Sequence, residues 1–159
     1  MTPNPTSLDK LIPGFGSYFS EQRRRDDDLA LRRYLVERLQ ESKKLLQSFA
    51  VPFVEKANVE KANFDAIKGS ETLRIQIELM QSKLRAATEG YSSWFESNRI
   101  DEQKLKEVVD LDRDLVAFID KLDSLISQLD TAKPDFAEAT AMIVRFKERF
   151  SRRKDILTK

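Results

Sequence analysis

The sequence predicts an all-α protein: an antiparallel bundle of long helices with coiled-coil-like packing, the first helix kinked or broken near Pro52. Three observations carry that expectation. Glycine (4) and proline (5) are scarce among 159 residues, so the chain lacks the turns a sheet protein needs. Apolar residues make up 40% and charged residues 35%, a mix suited to helices with one buried stripe. The apolar positions also alternate between spacings of four and three, an average of about 3.5 that favours left-handed, near-antiparallel packing of knobs into holes.

Taken in order, residues 1–17 carry Pro3, Pro5, Pro13, Gly14 and Gly16 and read as an irregular N-terminal arm. Five large apolar residues, Leu11, Ile12, Phe15, Tyr18 and Phe19, lie in or beside it, more than a solvated linker carries, which suggests draping over one end of the bundle; the competing reading is a segment that docks a partner. Residues 18–159 form a single helical-bundle domain. Ser20 is a candidate N-cap, with Glu21 in the first turn. Leu35, Leu39, Leu46, Phe49 and Phe53 then form a stripe with Ser42 in the missing slot, and Ala57, Phe64 and Ile67 continue it past Pro52. Gly69 and Ser70 read as a stop and restart. The second stripe is Leu73, Ile77, Met80, Leu84, Ala87, Tyr91 and Trp94. Asp101 is a candidate N-cap for the third, which holds Val108, Leu115, Ile119, Leu122, Ile126 and Leu129, widened by Leu111, Phe118 and Leu125. Pro134 opens the last helix, with Phe136, Ala139, Ile143, Phe146, Phe150 and Leu157. Short connections at 68–70, 98–101 and 131–134 predict antiparallel neighbours in sequence order. Four complementary stripes can satisfy one another within one chain, which favours a monomer over a coiled-coil homo-oligomer.

Composition removes several function classes. With no cysteine and no histidine, the chain has no disulfide, thiol nucleophile, Cys/His zinc site, His-held haem or Ser-His-Asp triad. The formal net charge of +1 sets up no global field toward nucleic acid or membrane. Met1–Asp9 has no positive charge and no apolar core of a signal peptide. The longest apolar run, Phe49–Val54, is far short of the roughly 20 residues of a membrane span. A cytoplasmic protein is the expectation.

Local features weigh toward binding rather than catalysis. In Arg23-Arg24-Arg25-Asp26-Asp27-Asp28 each arginine precedes an aspartate by three residues, which predicts a solvated, self-neutralised start of a helix; the competing reading is a recognition patch. The segment Pro13-Gly14-Phe15-Gly16-Ser17-Tyr18, followed by Arg23-Arg24 and Leu31-Arg32, resembles the opening of uncharacterised small helical proteins of prokaryotes. That resemblance implies no activity, cofactor or binding residue. Asp110-Leu111-Asp112-Arg113-Asp114 has the alternation of a calcium loop, but Leu115 and Lys121 stand where glycine and glutamate are required. Glu107, Asp110 and Asp114 read as a solvated acidic face, and Tyr91, Trp94 and Phe95 as a core plug. Gly14-Phe15-Gly16 lacks the rest of a phosphate-binding loop.

Residues 145–159 are basic and residues 101–130 acidic, so the two are expected to face each other. The function expected is a non-catalytic helical interaction or scaffold module that binds another protein and needs no cofactor. The alternative is a peripheral binder of anionic membrane or nucleic acid through the basic C-terminal helix. Candidate partner-binding residues are Phe15, Tyr18, Phe19, Arg23, Arg24, Arg145, Arg149 and Arg152.

Overall fold

The computed structural model describes residues 7–55, 61–87 and 101–158. All the regular structure among them is helical: α1 (Leu8–Leu11), a 3-10 turn (Glu21–Arg23), α2 (Arg24–Glu55), α3 (Lys61–Ala86), α4 (Glu102–Ser127) and α5 (Ala137–Thr158). The apolar stripes become one core. Leu35, Leu39 and Leu46 of α2 meet Leu73, Ile77 and Leu84 of α3, Leu115, Ile119 and Leu122 of α4, and Ile143, Phe146 and Leu157 of α5. Phe118 and Leu125 are partly buried against this core, as a wide stripe on α4 requires. No helix among the described residues is long and apolar enough to cross a membrane.

Side-chain pairs give the helix directions. Arg32 bonds the carbonyl of Leu84, Gln81 the carbonyl of Val36, and Lys43 pairs with Glu78, so α2 and α3 run antiparallel. Arg38 reaches Asp120 and Asp123, and Ser42 donates to Asp123, so α2 and α4 run parallel. Arg149 and Arg152 meet Asp114 and Glu107 along an antiparallel α4/α5 seam. The fourth seam joins α3 to α5 and is the most sparsely packed of the four. Helices α3 and α4, consecutive among the described helices, are therefore diagonal partners rather than the neighbours expected from sequence order.

Several boundaries differ from the sequence expectation. Gly69 and Ser70 do not stop a helix; α3 runs straight through them. A Cβ at Gly69 would come within 2.5 Å of the Phe136 ring, so this glycine lets the start of α5 approach the backbone of α3. Helix α2 runs through Pro52 to Glu55, and α3 starts at Lys61. The helix that follows residues 56–60 thus runs opposite to the one that precedes them, whereas the first apolar stripe was expected to continue to Ile67. That stretch of sequence holds neither glycine nor proline, and helical periodicity alone cannot mark the reversal.

The caps are mixed. Asp101 accepts from the backbone N–H of Gln103 at 2.9 Å, the expected cap of α4. Ser20 makes no side-chain cap and instead precedes the 3-10 turn. The start of α5 is held by Asp135, which accepts from the N–H of Ala137 at 2.9 Å, three residues later than the start at Pro134. Tyr91, Trp94 and Phe95 lie outside the described residues.

Candidate functional site

Four charged residues sit in slots where the heptad spacing calls for apolar ones, and the fold gathers them at one end of the bundle. Arg153 of α5 is fully buried and bridges Asp28 of α2 and Asp112 of α4: Nη2 donates to Asp28 at 2.6 Å and Nε to Asp112 at 2.7 Å. Asp28 also accepts from Nε of Arg32 at 3.0 Å, and Arg32 Nη1 donates to the carbonyl of Leu84 at 2.8 Å. Leu84 lies in the last turn of α3, where carbonyls lack helical partners and a cation is favoured. Two guanidiniums and two carboxylates thus balance, and together they touch all four long helices.

The N-terminal arm closes this end. Leu8, Ile12 and Phe15 are buried, and the Phe15 ring stands edge-on to Tyr18 at 5.3 Å. Tyr18 is fully buried; its hydroxyl donates to Asp112 at 2.5 Å and accepts from Arg153 at 2.8 Å. Its backbone is in the left-handed region (φ 65°), a costly conformation for a bulky residue. The cost is offset by Asp27, whose carboxylate accepts from the N–H of Gly16 at 2.9 Å and of Tyr18 at 3.0 Å. A side chain at Gly16 would crowd that carboxylate, with Cβ at 3.3 Å from Oδ2. Arg24 Nε donates to the carbonyl of Tyr18 at 2.9 Å. The Pro13–Tyr18 turn and the Arg-Asp run, separate features in the sequence, are two halves of one clasp.

This overturns the expectation of a solvated Arg-Asp start. Asp27 and Asp28 are buried, and each is committed to a different part of the cluster. Burial pushes the Asp112 carboxyl up to about 6, against the pull of the Arg153 guanidinium. Burial likewise raises the Tyr18 hydroxyl well above its usual range, so it stays a neutral donor. Desolvation alone would lower Arg153, but Asp112, Tyr18 and Asp28 around it hold it well above the ordinary arginine value. Among the described residues Arg153 Nη1 has no hydrogen-bond partner. Chemically, the site can hold charge and fix geometry. Tyr18, Asp28, Asp112 and Arg153 are buried from solvent and turned on one another.

The candidate partner-binding residues separate into two groups. Phe15, Tyr18 and Arg24 are interior residues of the clasp. Phe19 is 80% exposed, and Arg23 and Arg145 are exposed. Arg149 lies 3.8 Å from Asp114 and Arg152 2.8 Å from Glu107, as the opposed charges of the two helices suggested. Glu107, Asp110 and Asp114 each face an arginine, and among the described residues no trio of acidic side chains is placed to hold a metal ion.

Phe19 borders a groove of about 920 Å³ between the arm and the first turns of α4. Its charges alternate: Asp9, Glu102 and Asp110 against Arg24, Lys106 and Arg113. Sequence reasoning missed Asp28, Arg32, Asp112 and Arg153. The available signal was positional: Asp112 fills the gap between Val108 and Leu115, and Arg153 the gap between Phe150 and Leu157. Comparison of this chain with family models, with curated proteins and with solved structures finds no match.

Proposed function

We propose that this chain is a non-catalytic helical interaction module that binds another protein through the groove beside Phe19. The single observation that carries this reading is the exposure of Phe19, a large aromatic left 80% accessible at the mouth of a groove. Aromatic residues ringed by mixed charge are the composition of protein interfaces, where they act as anchors. The balanced charges of the groove favour a protein over an anionic membrane or nucleic acid, which would require an excess of cations. The fully buried groups whose ionisation is shifted, Tyr18, Asp112 and Arg153, support the same reading, because they are sealed in the clasp rather than presented in a cleft.

The alternative, a basic C-terminal helix acting on membrane or nucleic acid, has less support. Phe146 and Phe150 are consumed by the core, and Arg149, Arg152 and Arg153 face carboxylates of the same chain. The test uses the full chain as bait in an extract of its native cell, in parallel with Phe19→Ser. A protein retained by the parent and lost by Phe19→Ser, with thermal unfolding unchanged, supports the groove. Retention that ignores Phe19, or tight binding of duplex DNA at about 0.15 M salt, overturns it.

A further inference from the structure

The α3/α5 seam carries a second set of features that the Phe19 groove does not use. Lys83 of α3 and Lys147 and Lys154 of α5 converge on a concavity of about 360 Å³ floored by Met80, Ala87 and Phe150. Among the described residues none of these three lysines has an ion-pair partner, whereas Arg149, Arg152 and Arg153 of α5 all do. Gly69 beside Phe136 and Met80 beside Lys147 set one register along the seam. That register brings Val144 level with the turn between Ile75 and Leu79. All three are exposed, at 47%, 45% and 58%. A short apolar ridge therefore leads into a pocket lined by three lysines without an ion-pair partner among the described residues.

We propose that this seam docks an acidic amphipathic helix from another protein. Its apolar face lies over Ile75, Leu79 and Val144, and carboxylates toward one end meet Lys83, Lys147 and Lys154. This is helix-in-groove recognition with anchors one turn apart, given direction by charge at one end. Charge placement decides between a helix and a flat anionic membrane. On the other flank of the apolar ridge α3 carries Glu71 and Glu78, both engaged with Arg74. A membrane covering the ridge would meet those carboxylates as well as the lysines, whereas a helix lying along the α3/α5 seam is set against the pocket that Lys83, Lys147 and Lys154 line.

The experiment selects peptides on the full-length protein from a display library of amphipathic helical peptides. Vesicles of pure phosphatidylcholine and of phosphatidylcholine with phosphatidylglycerol serve as the membrane arm. Enriched peptides should carry Asp or Glu clustered at one end and large apolar residues one turn apart. Their affinity should fall at least about tenfold in the Lys83→Glu, Lys147→Glu, Lys154→Glu triple variant, as expected for losing three exposed ion pairs. It should also fall in Leu79→Ser, with helical content intact in both, and hold in Phe19→Ser. The proposal is overturned if no peptides are enriched, if those enriched are not acidic, or if their affinity survives the triple variant. Lysine-dependent binding to the anionic vesicles overturns it too and gives the seam to a membrane.

Discussion

Taking the Arg153 guanidinium out of water costs several kcal/mol, and the cost is met only while both carboxylates stay within hydrogen-bond range. Removing the cation leaves Asp28 and Asp112 buried without it. Arg153→Met should therefore lose about 3–5 kcal/mol in urea denaturation, more than a truncation of similar size on the surface. A loss under about 1 kcal/mol would mean that the cluster is not buried as described. The pH dependence has a definite sign. Asp112 is raised from 3.8 to about 6 in the fold, so the folded chain takes up its proton before the unfolded chain does. Its contribution to stability is fully present below 3.8 and is lost as the pH rises through about 6. Measured against Asp112→Asn, the parent should gain relative stability as the pH is lowered through that window. A parent that loses ground on acidification would show that Arg153 outweighs burial and holds this carboxyl low. These residues were legible only as gaps: an Asp or Arg in a heptad slot is ordinarily solvated, and one sequence does not reveal that four such slots converge.

At the scale of elements, the stripes of α3, α4 and α5 and the Asp101 cap were readable because each depends on residues close in sequence. Gly69 was misread because its reason is tertiary. Alanine at that position would gain about 1 kcal/mol of helix propensity in isolation. Here its Cβ would press on the Phe136 ring, which also packs edge-on against Phe49 at 6.0 Å. Gly69→Ala should thus destabilise by a net amount on the order of 1–3 kcal/mol in thermal unfolding. Pairing it with Phe136→Leu should recover part of the loss, since contacting sites are not additive. Stabilisation by Gly69→Ala would show that α3 and α5 stand further apart. The order of helices was likewise beyond local reading: nothing in the stripes distinguishes a neighbour from a diagonal partner, and α3 and α4 turned out to be diagonal.

For the whole molecule, the arm and four helices meet at one end around charges that are spent inside the chain. Removing residues 1–17 takes away Leu8, Ile12, Phe15 and the Gly16 N–H that binds Asp27. The shortened chain should unfold at lower temperature and bind a hydrophobic dye, while unchanged stability would show that the arm is no part of the closure. The reading of the chain as a binding module rests on that closure, because an open Tyr18-Asp112-Arg153 cluster would be a candidate for chemistry. The measurement that tests it most directly is hydrogen exchange of the Arg153 side chain by nitrogen-resolved NMR in the full-length protein. A sealed cluster predicts an Arg153 Nε–H protected like the core amides of α4, with that protection lost in Asp112→Asn. Exchange as fast as that of an exposed arginine would contradict the closure and, with it, the non-catalytic reading of this site.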